Sequence, residues 1–203
     1  MPPRLAYALL TLTLCAAAAV AGVYVASRGA NGEERIAVGS SGWAGFVRPP
    51  GAAAPDFELR DQDGEPATMA QYRGRPVALT FVYSTCEDTC PALVDQVRGA
   101  LDDTGADVPL LAVSVDPGRD TPARARRFLN ERRMTGRARF LLGDERELAP
   151  LWEGYGVQPQ TGRLDHSATV VMVDAQGRQR VGFPYDQLTP EALAHDIRLL
   201  AKL

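Results

Sequence analysis

The pattern of apolar and polar positions predicts alternating strands and helices from about residue 55 to the C-terminus. Apolar runs at 77–83 and 108–115 are rich in β-branched residues and nearly uninterrupted, which is typical of parallel strands buried on both faces. Pro91 opens a helical pattern after the first run, and Thr121 and Pro122 supply the cap and first turn of a helix after the second. We therefore expect a parallel sheet with helices between its strands.

The rest of the pattern adds a third helix, a hairpin and a terminal helix. A short apolar strand near 140–142 is followed by a helix whose start carries a capping box of Asp144 and Glu147. Two further strands flank a turn at 174–177, and Thr189 caps the last helix. This order predicts an α/β, thioredoxin-like fold with its ligand site at the carboxyl ends of the strands.

The first 28 residues are predicted to be a membrane anchor. Residues 5–26 carry no charge, and as a helix they would span about 33 Å, against a hydrocarbon core of about 30 Å. A cleaved signal peptide is the alternative, because residues 19–21 fit the small-residue cleavage pattern. Either way we expect an exported domain, and an uncleaved segment makes a single-pass cell-membrane protein with its C-terminal domain on the extracytoplasmic (periplasmic) side.

Residues 29–54 are predicted to form a flexible linker. They are rich in Gly, Ala, Ser and Pro, show no sustained period, and include an isolated Trp43 and Phe46 to which the sequence assigns no role. The predicted organisation is thus an anchor at 1–28, a linker at 29–54 and a folded domain at 55–203.

Composition supports one self-sufficient domain and argues against nucleic-acid binding. The chain has 203 residues, of which 45% are hydrophobic, so a core can form without a metal or a disulfide. The formal net charge is −3 with both signs mixed along the chain, which leaves no basic footprint for nucleic acid.

Three cysteines restrict the chemistry of the chain. Cys15 lies in the apolar N-terminal segment, where Leu14 disfavours lipoprotein acylation because that signal wants a small residue. The domain holds only Cys86 and Cys90, in a polar loop between a strand and a helix. Inert buried thiols or a small-loop structural disulfide are alternatives, and the latter would add little stability. Redox or metal chemistry is favoured, because a helix N-terminus stabilises the thiolate, which is both nucleophile and metal ligand.

The two histidines differ in their predicted positions. His195 lies about 200° around the last helix from Leu193, which belongs to the apolar stripe, so His195 is expected to face solvent. His166 ends a polar loop directly before a predicted core strand, which would bring it to the same sheet edge as the two thiols. Two thiolates and an imidazole suit Cu(I), although zinc also accepts this set with a water.

Three motifs follow one another along the domain. They are Cys86-x-x-x-Cys90-Pro91, the run 113–122 that reads VSVDPxRDTP, and Asp165-His166-Ser167. In order and approximate spacing they resemble the Sco/SenC family of copper proteins. The resemblance covers residue 55 to the C-terminus, and the three motifs together are highly specific. Within the second motif, the segment Asp116-Pro117 and Arg119-Asp120 is expected to be a structural turn and helix cap rather than a ligand.

The resemblance implies a membrane-anchored copper chaperone that delivers copper to, or prepares the thiols of, the copper A site of cytochrome c oxidase. It implies Cys86, Cys90 and His166 as the metal ligands, with Cu(I) bound and Cu(II) as a second state. The implied partners are the copper-site subunit of the oxidase, other copper chaperones or a thiol reductant.

Two enzymatic functions remain as alternatives. A membrane-anchored thiol-disulfide oxidoreductase would use Cys86 and Cys90 as its redox-active pair, but such enzymes typically have two residues between the cysteines and a proline where this chain has Ala168. A peroxiredoxin-type peroxidase needs Thr three positions before its cysteine, where this chain has Tyr83 or Glu87. Glu87 also departs from the proline of many relatives and is expected to raise the thiol pKa values.

Overall fold

The computed structural model describes residues 36–160 and 168–203, together with Cys15, Ala18 and Ala19. Apart from those three residues, the predicted anchor at 1–28 lies outside the described residues, as does His166. Within the described part of the chain, no helix is long and apolar enough to cross a membrane. Ala37–Leu203 form one compact unit.

The described strands and helices follow the predicted alternation. The strands are β1 (Phe46–Val47), β2 (Glu58–Arg60), β3 (Pro66–Thr68), β4 (Val77–Val82), β5 (Leu110–Ser114), β6 (Ala138–Leu141), β7 (Thr169–Val173) and β8 (Gln179–Pro184). The helices are α1 (Thr89–Thr104), α2 (Pro122–Glu131), α3 (Glu145–Tyr155) and α4 (Pro190–Leu200), with short 3-10 helices at Met69–Tyr72 and Tyr185–Gln187.

Six of the strands form one mixed sheet in the order β1-β8-β7-β4-β5-β6. Strands β4, β5 and β6 run parallel to one another, whereas the pairs β1–β8, β8–β7 and β7–β4 are antiparallel. Strands β2 and β3 form a separate hairpin. The central parallel strands and the late hairpin confirm the predicted thioredoxin-like α/β architecture.

The core lies on both faces of the central strands. Every residue of β4 and β5 is buried, which agrees with their nearly uninterrupted apolar sequences. Alternate residues point to opposite faces, and Leu79 and Phe81 join Leu111 and Val113 in a cluster that α3 and the β2–β3 hairpin complete. Helices α1 and α4 pack against each other. The end of β4 therefore belongs to a strand whose two faces are both packed in the core.

The predicted helix caps are confirmed. Thr121 accepts a hydrogen bond from the Arg124 amide, and Pro122 occupies the first turn of α2. Asp144 and Glu147 form the reciprocal capping box of α3. Helix α1, by contrast, begins at Thr89, two residues before the proline that the sequence indicated as its start.

The segment 37–54 is packed onto the domain, which differs from the flexible linker predicted for 29–54. Trp43 is only 7% exposed, and β1 pairs with β8 through Phe46 and Gly182. A Cβ on Gly45 would approach Val181 to 2.5 Å, so only a glycine fits this close contact without displacing its neighbours. The low-complexity composition obscured this docking, because its partners lie more than a hundred residues away.

Helix α4 holds this segment through a buried carboxylate. Asp196 is fully buried, and its two oxygens accept hydrogen bonds from the amides of Ala44 (2.9 Å) and Gly45 (3.0 Å). His195 Nε2 lies 3.1 Å from the Gly42 carbonyl oxygen, and its side chain is 36% exposed. His195 is therefore partly exposed, as expected for a residue that faces away from the apolar stripe, but the N-terminal segment covers part of this side of the helix.

Candidate metal and thiol site

The two cysteines of the domain lie at the connection between β4 and α1. Strand β4 ends at Val82, and a turn follows in which the Cys86 amide donates to the Tyr83 carbonyl oxygen at 3.2 Å. Helix α1 begins three residues after Cys86 and includes Cys90 in its first turn. The structure thus places both thiols at the carboxyl end of a central strand, as the sequence predicted.

The sulfur of Cys86 takes the position of a helix cap. The backbone N–H of Cys90 donates to Cys86 Sγ, with 3.3 Å between nitrogen and sulfur. Asp88 stands at the cap position of α1 but makes no capping hydrogen bond through its side chain. Cys86 is half-buried, whereas Cys90 is fully buried, and the two side chains are thiols rather than a disulfide. Access from solvent is therefore through Cys86.

The pKa of the Cys90 thiol is raised well above its ordinary value. The main cause is the hydrogen bond with Cys86, and burial is the next, while the charge of Asp120 adds to the shift and a Tyr83 backbone hydrogen bond opposes it. The sequence argument that the helix N-terminus favours thiolate is overridden at this position. Release of the Cys90 proton is therefore disfavoured, and metal binding through its sulfur has to offset this cost.

A carboxylate that the sequence analysis assigned to a turn lies beneath the thiol loop. Asp120 is 9% exposed, and its Oδ1 accepts from the Ser84 amide at 2.7 Å and from the Ser84 hydroxyl at 2.5 Å. Its Oδ2 accepts from the hydroxyl of buried Ser114 at 2.5 Å. Burial raises the pKa of Asp120, and the serine donors partly offset this. Asp120 therefore joins the ends of β4 and β5.

The turn that precedes Asp120 forms one side of the site. The amides of Arg119 and Asp120 both donate to the Asp116 carbonyl oxygen, and the Arg119 side chain pairs with the Asp116 carboxylate at 2.5 Å. The Arg119 guanidinium also lies 5.9 Å from the ring centroid of Tyr83. These contacts agree with the prediction that this motif is a turn and helix cap.

The third predicted ligand, His166, lies outside the described residues. Its described neighbours flank the thiol edge: the Gln160 amide donates to the Val115 carbonyl oxygen, and the Thr169 carbonyl oxygen accepts from the Thr80 hydroxyl on β4. Among the described residues, no group of three His, Cys, Asp or Glu side chains could hold a metal ion. The described part of the site therefore supplies two soft sulfur donors.

Comparisons with known proteins match most of the chain. A family model described as SCO1/SenC matches residues 47–202. The structure of Bradyrhizobium japonicum ScoI with copper bound is 30% identical, covers 73% of this chain and 99% of that one, and superposes with a TM-score of 0.59. A Stutzerimonas stutzeri protein named for copper binding is 30% identical over 63% of this chain and 67% of its own length.

A more distant structure shares the fold. BsSco, described as a member of the Sco family of cytochrome c oxidase assembly proteins, is 19% identical, covers 78% of this chain and 98% of that one, and superposes with a TM-score of 0.67. At this identity the likeness concerns the fold alone.

Proposed function

The chain belongs to the SCO1/SenC family, and on that premise we propose that it binds copper through Cys86, Cys90 and His166 and delivers it to the copper A site of cytochrome c oxidase. Copper is the cargo of this process rather than a resident cofactor. The observation that carries the proposal is the 3.3 Å contact between the Cys90 amide and Cys86 Sγ, which fixes one sulfur donor against the residue that carries the other, at the carboxyl end of β4.

The donor set supports copper over a hard cation. Two thiolates are soft ligands, and Cu(I) prefers them to carboxylate or carbonyl oxygens. The buried carboxylate beneath the thiol loop, that of Asp120, already accepts three hydrogen bonds from Ser84 and Ser114. The copper-bound ScoI of Bradyrhizobium japonicum supports the same metal for this chain.

Chain geometry supports His166 as the third ligand. Ala168 directly precedes β7, and its carbonyl oxygen accepts from the Tyr185 amide. Because β7 runs antiparallel to β4, the start of β7 lies beside the end of β4 that carries the thiol loop. Two residues of chain span at most about 7 Å, so His166 is within reach of this edge.

The N-terminal segment is proposed to hold the domain at a membrane. Residues 5–26 are long and apolar enough for one span. The domain would then lie on the periplasmic side, where an oxidase copper site is accessible to it. A half-buried Cys86 above a buried Cys90 suits transfer, because an acceptor thiol can approach the exposed ligand first.

The proposal is tested by titrating Cu(I) into the reduced full-length protein in competition with a chromophoric chelator. We expect about one copper per chain, loss of most binding in Cys86→Ser and Cys90→Ser, and weaker binding with a changed spectrum in His166→Ala. The matched control is His195→Ala, which removes the only other histidine and should leave affinity unchanged. Copper loading of His166→Ala that equals wild type would refute the three-ligand site.

The closeness of the two thiols also favours a second candidate, a thiol-disulfide oxidoreductase. The same 3.3 Å contact brings Cys86 and Cys90 together for reversible disulfide formation. A dithiol-reduction assay separates the two functions. Activity that needs both cysteines but not His166, in a protein that binds no copper, would favour the oxidoreductase.

A further inference from the structure

We propose that Asp120 is a positioning residue of the site, which holds the thiol loop in register through Ser84 and thereby sets the geometry in which Cys86 and Cys90 receive copper. The inference rests on the proposed function and extends it to a residue outside the proposed ligand set. Asp120 is the last residue before Thr121, the cap of α2, and belongs to the motif that the sequence analysis treated as a turn.

The first step is the rigidity of Asp120 itself. Its amide donates to the Asp116 carbonyl oxygen at 2.9 Å, which closes the turn before it. Thr121 precedes Pro122, and a residue before proline is restricted to extended backbone, as Thr121 shows with φ −123° and ψ 156°. The carboxylate therefore projects from a backbone that is fixed on both sides.

The second step is the pair of strands that the carboxylate joins. Val82 at the end of β4 lies opposite Ser114 at the end of β5. Oδ2 of Asp120 accepts from the Ser114 hydroxyl, while Oδ1 accepts from two donors of Ser84. Three donors on one buried carboxylate make it a strong, directional tie, because charge-assisted hydrogen bonds are shorter and stronger than neutral ones.

The third step connects this tie to the sulfur atoms. Ser84 lies inside the turn that the Cys86 amide closes on Tyr83. The Cys86 sulfur is then held from the other side by the Cys90 amide in the first turn of α1. Loss of the Asp120 tie would remove the contacts that hold Ser84 against the ends of β4 and β5, and we expect the thiol loop then to shift relative to Cys90.

The alternative is that Asp120 is only a structural residue whose loss lowers stability without affecting the thiols. Asp174 provides a matched control, because it is 3% exposed and accepts from the amides of Gln176 and Arg178. It follows Val173, which lies opposite Val77 at the start of β4 and thus at the far edge of the sheet from the cysteines. Asp174→Ala removes a comparable buried cap without touching the site.

The experiment compares Asp120→Ala, Asp120→Asn and Asp174→Ala in the full-length protein. Asn keeps an oxygen that can accept from Ser84, and its amide can donate to the Ser114 hydroxyl, so it should restore the tie without the charge. Outer-shell partners typically change metal affinity by about 10- to 100-fold. We therefore expect Asp120→Ala to weaken Cu(I) binding about tenfold or more, and Asp120→Asn to remain within about threefold of wild type.

A second measurement needs no copper and so separates this inference from the proposed function. In the balanced exchange, the protein dithiol and glutathione disulfide give the protein disulfide and two molecules of glutathione. We expect a reduced equilibrium constant in Asp120→Ala, because a looser loop lowers the effective concentration of one thiol at the other. Asn should rescue it, and Asp174→Ala should leave it unchanged despite a lower melting temperature.

Two outcomes would overturn the inference. Wild-type exchange equilibrium and copper affinity in folded Asp120→Ala would show that the tie is structural only. Equal impairment of Asp120→Asn and Asp120→Ala would show that charge or direct ligation, rather than position, is what Asp120 supplies. If Asp120→Ala does not fold, Ser84→Ala removes the hydroxyl bond between the thiol loop and Asp120, and a wild-type exchange equilibrium in that variant would likewise count against the inference.

Discussion

Replacing Trp43 tests the finding that the N-terminal segment is part of the folded domain. Trp43 is 7% exposed, and the Arg180 guanidinium lies 5.9 Å from its ring centroid. Truncation of a buried tryptophan to alanine typically costs about 3–5 kcal/mol. Because this segment lies at a sheet edge, where water can fill the space that the ring leaves, we expect Trp43→Ala to lower the free energy of unfolding by about 3 kcal/mol.

The matched control comes from the same segment. Phe46 is also a large aromatic residue, but it is 56% exposed. Phe46→Ala should therefore change stability by less than about 0.5 kcal/mol. For a unit of this size, about 3 kcal/mol corresponds to a fall in melting temperature of about 6–12 °C, so the two variants are well separated in a thermal melt.

The assay is urea and thermal unfolding of the unit Ala37–Leu203, followed by circular dichroism. Removal of residues 1–48 extends the test, because it leaves Asp196 buried without the amides of Ala44 and Gly45. Each lost donor to a buried carboxylate costs about 1–3 kcal/mol. If Trp43→Ala and Phe46→Ala had equally small effects, the segment would be the flexible linker that its composition indicated.

Two further predictions concern the body of the domain. Burial acts to raise the pKa of Asp61, but hydrogen bonds from Arg139 and two backbone amides outweigh it and lower that pKa below 3.8. The stabilisation that the Asp61 carboxylate provides is present above the unfolded-state pKa and is lost as pH falls through the folded-state pKa. In urea unfolding, Asp61→Asn should therefore cost about 1–3 kcal/mol at pH 7 and clearly less near pH 3, and an equal cost at both pH values would contradict this. Gly154→Ala should lower the melting temperature although alanine favours helix, because a Cβ at this position would approach Pro55 Cγ to 2.2 Å. A variant with a raised melting temperature would show that Pro55 does not pack against residue 154.

Local sequence signals predicted the elements that position the site. Residues of β4 and β5 are nearly all apolar because both faces of these strands are covered, and such runs can be identified without knowing what covers them. The caps at Thr121 and Asp144 depend only on neighbours two or three residues away. The apolar strands and the helix caps each depend on a few neighbouring residues, so the order of apolar and polar residues was sufficient to predict them.

The docking of the N-terminal segment could not be predicted in this way. Strand β1 has only two residues, and both of them are exposed, so no alternation of apolar and polar positions marks it. Its stability comes from β8 and from Asp196, which is 152 residues from Ala44. Trp43 was the one visible signal, because a lone tryptophan in a Gly- and Ala-rich stretch is costly to expose.

The position of Asp120 shows which part of a site can be predicted from strand topology and which part cannot. Neighbouring parallel strands place their carboxyl ends side by side, and this rule correctly predicted that the thiol loop lies at the ligand edge of the sheet. The same rule applies to the loop after β5, so Asp116 and Asp120 had to lie near the loop after β4. What sequence reasoning lacked was the register of Val82 against Ser114, which decides which of the two carboxylates reaches Ser84. Topology thus identifies the loops that meet, whereas the pairing of individual side chains requires the strand register.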